Sequence, residues 1–324
     1  MTSEKATAGS NGRTVLAVVV AYRPDTTTLT ELLRALVAQV DQVLIVDNTP
    51  ACDDRVHAAI ANFAELPSTL RLVRFGKNLG IAAALNVGIH TAISEGFDYV
   101  LLSDQDSVPA PDMVSGLLRA SAALTQRGMR VGAVGPTYTD LHTGITFPFQ
   151  VEIPGKFFYG HARASADMPL VEALTLITSG TLIPAPAVAA VGLMREDFFI
   201  DHVDIEWCHR ARAAGLKLFG TSYATMCHRM GENAHLRVWY FGWRNESTYS
   251  PVRMYYRIRN FIALCKAPYI PARWKIRNAW YWLGFVYSHV VFGQERWSSL
   301  KMAMRGLWDG LRSCAGPLAG VDDR

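Results

Sequence analysis

With 324 residues, 50% hydrophobic and 19% charged, the chain has the composition of a folded protein and the length for one large domain or one and a half. It contains no apolar run of about 20 residues, which excludes a membrane-spanning helix, and its formal net charge of +4 selects no partner by itself. Its cysteines, Cys52, Cys208, Cys227, Cys265 and Cys314, form no CxxC pair, which suits reduced thiols in a cytosolic protein rather than a disulfide framework or a structural zinc.

Residues 1–13 are polar, lack the apolar core of a secretory signal and read as a disordered tail. The apolar run 15–21 predicts a buried strand. An amphipathic helix over 29–39 follows, opened by a capping-box pattern at Thr28 and Glu31. A strand over 42–46 ends at Asp47-Asn48, and a helix near 53–63 leads to a strand over 72–75. The helical segment 81–93 stops at Gly96, a residue suited to the C′ position. The strand 99–102 then runs into Ser103-Asp104-Gln105-Asp106-Ser107, followed by a helix near 113–125 and a strand over 131–134.

Strands alternating with helices of about ten or more residues predict right-handed crossovers and an α/β fold with a mostly parallel sheet. Ligands of such sheets bind outside the carboxyl ends of the strands. Tyr22-Arg23, Asp47-Asn48, Lys77-Asn78 and Asp104-Gln105-Asp106 collect at those ends, so one ligand can touch all four. Loops and short strands are expected over 137–169. Periodicity returns at 174–184, in a helix over 203–214 and in a strand over 216–219. The rest reads as helical, around 253–265, 274–292 and 298–312.

Asp104 and Asp106 are the first chemical constellation. In extended chain, residues i and i+2 point the same way, so both carboxylates face one ligand. Paired oxygens suit a hard cation such as Mg²⁺ or Mn²⁺, which bridges a diphosphate. A solvated turn would carry the same residues. No P-loop and no GxGxxG follows the early strands, which disfavours an ATPase and an NAD-dependent dehydrogenase. In the second acidic cluster, Asp201 to Trp207, Asp204 opens a helix; it is either a general base for an attacking hydroxyl or an N-cap. His228 is either a further metal ligand or structural.

Together these residues resemble the family 2 glycosyltransferases of GT-A fold, most closely the bacterial rhamnosyltransferase branch. The likeness rests on Val18-Val19-Val20-Ala21-Tyr22, Val46-Asp47-Asn48, Lys77 to Ala82, Leu102 to Ser107, Phe198 to Trp207, Cys227-His228, Tyr255 to Asn260 and Gly306 to Arg312, in the family's order. It implies a nucleoside pocket lined by Ala21, Tyr22, Asp47 and Asn78, with Arg23 and Gln105 beside it and Asp104 near the nucleotide. Asp106 would hold Mg²⁺ or Mn²⁺ with His228, Ser179-Gly180 would meet donor and acceptor, and Asp204 would be the base of an inverting single displacement. The family's Glu-Asp pair reads Val203-Asp204 here, so only the second acid is kept.

The resemblance also implies deoxythymidine-diphosphate-L-rhamnose (dTDP-L-rhamnose) as donor. The acceptor would be a lipid-linked glycan or a glycolipid, as in O-antigen or rhamnolipid synthesis, and no nucleic-acid partner is expected. Another nucleotide-sugar donor, or a non-catalytic nucleotide- or glycan-binding protein, is the alternative. The domains expected are a tail over 1–13, a GT-A domain over 14–236 and a helical region over 237–324. Within the last, Arg273, Lys275 and Arg277 interleave with Trp274, Trp280 and Trp282. Residues 273–292 are either an interfacial helix on anionic lipid at the inner face of the cell membrane or a core helix.

Overall fold

The computed structural model describes residues 12–63, 68–140, 144–228, 232–239 and 243–318; most of the tail expected over 1–13 lies outside them. The first half alternates as expected: β1 (Val15–Ala21), α1 (Thr26–Val37), β2 (Gln42–Asp47), α2 (Arg55–Ala61), β3 (Leu70–Arg74), α3 (Ile81–Ser94), β4 (Tyr99–Asp104), β5 (Ser107–Pro109), α4 (Met113–Gln126) and β6 (Val131–Asp140). Helix α1 begins earlier than the capping-box pattern suggested. Asp25 is its N-cap and accepts from the Thr28 N–H at 2.8 Å, the reach that an Asp cap makes to N3. The periodicity of α3 ends where expected, and Gly96 beyond it has φ +78°.

β7 (Phe149–Val151) and β8 (Gly160–Ala162) form a short hairpin. β9 (Leu170–Ala173), β10 (Thr181–Pro184), α5 (Ala185–Val191), a 3₁₀ turn (Glu196–Phe198), α6 (Val203–Ala213) and β11 (Lys217–His228) follow. Only 181–184 of the periodic stretch 174–184 is strand. The chain then makes an antiparallel hairpin, β12 (Glu232–Trp239) and β13 (Trp243–Thr248), where no strand was expected. The boundary drawn at 236/237 falls inside β12. The last elements are helices: α7 (Pro251–Lys266), α8 (Ala272–Val291) and α9 (Arg296–Leu311).

The central sheet has the order β3-β2-β1-β4-β10-β6-β11-β5, with β9 also paired to β11. β1 is parallel to β2 and β4, β2 to β3, and β6 to β11, while β10 runs antiparallel between β4 and β6. The sheet is mainly parallel, as the α/β pattern required. β1 is buried along its whole length, so its side chains split by parity. Leu16, Val18 and Val20 join the core that holds α3, α6 and the C-terminal helices. Val15, Ala17, Val19 and Ala21 join the core beneath α1 and α4. Each large aliphatic side chain buried this way stabilises the fold by roughly 1.5–3 kcal/mol. α3 lies against β1 at Gly88, where an added Cβ would stand 2.3 Å from Val18.

This layering fixes the site. The carboxyl ends of β1, β2 and β4 open on one edge of the sheet, where Tyr22, Asn48 and Asp104 are neighbours. α6 and α7 close that edge from the far side.

Candidate active site

A cavity of about 740 Å³ lies at this edge. Of the residues singled out from sequence, Tyr22, Asn78, Asp104, Gln105, Asp106 and Asp204 line it. Gln105 is fixed by a reciprocal pair with Tyr22: its Oε1 accepts from the Tyr22 N–H at 2.6 Å and its Nε2 donates to the Tyr22 carbonyl at 3.0 Å. The ends of β1 and β4 are thereby tied together. Asn78 Oδ1 accepts from Asn48 Nδ2 at 3.0 Å and from the Gly80 N–H at 2.9 Å, while Asn48 Oδ1 accepts from the Leu79 N–H at 2.8 Å.

Asn48, rather than Asp47, therefore lines the cavity. Asp47 is fully buried one residue earlier. Its carboxylate accepts from the Thr49 N–H at 3.0 Å and pairs with Arg74 Nε at 3.3 Å, so it organises the β2 end from beneath. Ala21 is buried in β1 and also stays off the lining. Arg23 stands outside the lining too, with φ 45° and its guanidinium 5.5 Å from the Tyr22 ring centre. Ser179 and Gly180 act from behind. Ser179 Oγ accepts from the Asp104 N–H at 3.1 Å, and the Gly180 N–H donates to the Leu102 carbonyl at 2.8 Å.

Burial, reinforced by the charges of Asp106 and Asp204, raises Asp104 to about 7. Burial and the Asp201 charge raise Asp204, which lines the same cavity, to about 6, against the backbone N–H groups that it accepts from, Ile205 at 2.8 Å among them. Asp204 is not the N-cap of α6. That position belongs to His202, whose side chain makes no capping bond and which burial holds neutral, pushed down to about 4. The neighbouring acid of α6, Glu206, is fully buried and consumed by Arg210 (3.0 and 2.9 Å) and the Tyr269 hydroxyl (2.6 Å). Asp204 thus stands as the α6 acid that faces the cavity. It also lines a smaller cavity of about 190 Å³ with Tyr138, Gln150, Thr175 and Ser179.

The loop before α6 was not legible as a structural device. Phe199 has φ 63° and ψ −65°, and the Ile200 N–H bonds the Phe198 carbonyl at 2.8 Å, a γ-turn. Asp201 and His202 follow with φ 63° and 64°. Helix α7 grips this strained loop. Asp201 accepts from Arg253 (2.7 and 3.2 Å) and Arg257 (3.2 Å). Burial opposes its ionisation, but those two guanidiniums outweigh it and hold Asp201 below the ordinary range. Asn260 Nδ2 reaches the carbonyls of Phe198, Ile200 and Asp201 at 3.0, 2.8 and 2.9 Å. Arg259 Nη2 donates to those of Asp197 and Phe198 at 3.0 and 2.9 Å. From the other side the Ile81 N–H donates to the Phe199 carbonyl at 2.8 Å. A Cβ on Gly80 would lie 2.7 Å from Phe199, so only glycine admits this approach.

Tyr249, Arg253, Arg257, Asn278, Tyr281 and Trp282 complete the lining. The signal that announced them was slight: arginines spaced i, i+4 at 253 and 257, which put two guanidiniums on one helix face.

Asp104 and Asp106 both line the cavity, and such oxygen ligands fit Mg²⁺ or Mn²⁺. No group of three or more His, Cys, Asp or Glu side chains gathers into a metal cluster among the described residues. The backbone of His228 pairs with Ser107, beside the acidic turn; its side chain lies outside the described residues.

Residues 17–128 match the model of the glycosyl transferase family 2. The chain is 27% identical over 303 residues to the dTDP-rhamnosyl transferase RfbF of Shigella flexneri, covering 93% of this chain and 97% of that protein. It is also 27% identical to the galactofuranosyltransferase GlfT1 of Mycolicibacterium smegmatis, over 89% of this chain and 95% of the relative. Among solved structures, that of GalNAc-T7 with UDP, GalNAc and Mn²⁺ superposes with a TM-score of 0.52 at 11% identity, over 68% of this chain and 44% of that one. The fold is of the GT-A kind. The chain resembles family 2 glycosyltransferases of the bacterial rhamnosyltransferase branch and is an enzyme that transfers sugars.

Proposed function

We propose that this sugar-transferring enzyme, with its family 2 glycosyltransferase domain, moves L-rhamnose from dTDP-L-rhamnose to a hydroxyl of a lipid-linked glycan or a glycolipid. The donor assignment is supported by the likeness to RfbF along nearly the whole chain. The observation that carries the mechanism is the Asp204 carboxylate, buried in the lining of the cavity that Asp104 and Asp106 share.

Tyr22, Asn48, Asn78 and Gln105 form the wall that takes the nucleoside, and Asp104 lies next to the nucleotide. The acceptor hydroxyl oxygen attacks the anomeric carbon, the bond from that carbon to the diphosphate oxygen breaks, and dTDP departs with the bonding pair. The proton of the attacking hydroxyl passes to Asp204, and the single displacement inverts the anomeric centre. With its charged form poised near 6, Asp204 is ionised and basic at neutral pH. Mg²⁺ or Mn²⁺, held by Asp106 with Asp104 and His228 beside it, would neutralise the charge developing on the departing diphosphate. The 199–202 loop and its α7 partners keep Asp204 aimed at the cavity, and Val203, where the family has Glu, is packed in the core.

The test is Asp204→Asn. Turnover, read as dTDP released on rhamnosyl transfer to acceptor or to water, should fall about 10²-fold or more while donor affinity is kept. Near-normal turnover would remove Asp204 from the chemistry.

A further inference from the structure

Helix α8 turns Trp274, Trp282, Phe285 and His289 into the core, so it is a packed helix. Its opposite face is nevertheless apolar. Ile276, Trp280, Leu283, Tyr287 and Val291 recur every three to four residues and are all exposed, from 44% at Tyr287 to 73% at Trp280. Helix α9 repeats the pattern with Trp297, Met304, Trp308 and Leu311, each more than half exposed. Its inner face is Ser299, Ala303, Gly306 and Gly310. Buried small residues and exposed tryptophans invert what a solvated helix shows.

The charges lie elsewhere than the sequence suggested. Arg273 pairs with Glu152, Lys275 donates to the Ala267 carbonyl at 2.8 Å, and Arg277 stacks 5.8 Å from the Tyr159 ring. These three are spent on the protein. On α9, Arg296 and Lys301 are exposed, and Lys301 falls on the apolar stripe itself, between Trp297 and Met304. Arg305 and, just past the helix, Arg312 are exposed as well, with Arg312 5.6 Å from the Trp308 ring of the same face. Of the acids there, Asp309 already accepts from Tyr255 at 2.9 Å and pairs with Arg305 at 3.8 Å, which leaves Glu295 at the N-cap.

We infer that the outer faces of α8 and α9 dock on the surface of an anionic phospholipid bilayer, with α9 supplying the cations. Exposed Trp, Leu and Met set among Lys and Arg are the residues of an interfacial helix, which lies in the headgroup plane and gains from negative lipid. A second copy would bring one basic face against another, which charge repulsion disfavours. Among the described residues no helix is long and apolar enough to cross a membrane, so the contact is peripheral. Asn278 and Tyr281 of the same α8 line the large cavity. Resting on the proposed function, docking would bring the cavity mouth to where a lipid-borne acceptor hydroxyl resides.

The experiment is co-sedimentation of the full-length protein, without donor, with vesicles of phosphatidylcholine alone and of phosphatidylcholine with phosphatidylglycerol. Binding is expected to the anionic vesicles and to weaken as salt is added. W297A/W308A and K301E/R305E should each weaken it about tenfold or more, with Tm and the circular dichroism spectrum kept. Equal binding to neutral vesicles, no binding, or unchanged binding by both variants would overturn the inference. So would a stable dimer that W297A/W308A dissolves. Because no donor or acceptor enters the assay, its failure leaves the rhamnosyl-transfer reading intact, and failure of the donor titration leaves this one intact.

Discussion

Asn260 does not itself line the cavity, yet its removal should disable the enzyme. The side chain is 1% exposed, and its amide nitrogen stands within 3.0 Å of the Phe198, Ile200 and Asp201 carbonyls. An amide nitrogen has two hydrogens, so three contacts share two bonds. In Asn260→Ala the Phe198 carbonyl keeps Arg259 at 2.9 Å, but those of Ile200 and Asp201 lose this donor. Each buried acceptor left unsatisfied costs about 1–3 kcal/mol, giving about 2–6 kcal/mol in all and a fall in Tm of roughly 3–9 °C. The strained φ values at Phe199, Asp201 and His202 persist only while their surroundings over-determine them. Part of that energy is therefore recovered by relaxing the loop and moving Asp204, two residues beyond. Turnover should fall about 10²-fold, as for a misplaced catalytic group, while donor affinity measured by calorimetry changes less than about threefold. A variant that loses the expected Tm but turns over normally would show that α7 holds the fold and not the base. Equal losses of donor affinity and turnover would mean that the loop serves the nucleotide.

The pH profile offers a check with a fixed sign. Burial raises Asp204 to about 6, with Asp201, Asp104, Tyr138 and Cys208 as its titratable neighbours. The activity kcat/KM should therefore rise as pH passes about 6 and level above it; a profile flat from pH 5 to 8 would contradict this. Because the folded form holds that proton more tightly than the unfolded chain, Asp204 weakens the fold as pH rises from its ordinary 3.8 to about 6. Asp204→Asn should consequently gain Tm over the parent at pH 8 and not at pH 4. Asp106→Ala should abolish Mn²⁺- or Mg²⁺-dependent turnover in a folded protein, and full activity of the parent in excess chelator would refute the metal role.

Much of the frame was legible because β1, α3, β4 and α6 combine burial period and local punctuation in agreement. The run 15–21 is apolar without interruption, and Gly96 stops α3 where its helical period ends. The acidic turn was legible too, since the i, i+2 spacing of Asp104 and Asp106 says that both face one way. What escaped was set by contacts distant in sequence. Asp47 and Asn48 are adjacent polar residues, and only the pairing with Arg74 and Thr49 shows that the first is turned inward. The positive φ values of 199, 201 and 202 carry no glycine to announce them, because Asn260, Arg253 and Arg257 impose them from about 60 residues away. The β12–β13 hairpin lay hidden in a stretch whose aromatic and basic residues serve strand and helix alike. In α8 the helical period is legible, but the engagement of Arg273, Lys275 and Arg277 by Glu152, Ala267 and Tyr159 is not, because those partners lie elsewhere in the chain.

The central claim is best tested by calorimetric titration of the purified protein, in Mn²⁺, with dTDP-L-rhamnose beside uridine- and guanosine-linked sugars. Selective binding of dTDP-L-rhamnose is the predicted result. Preference for a uridine- or guanosine-linked sugar, or no binding of any donor, would contradict the account.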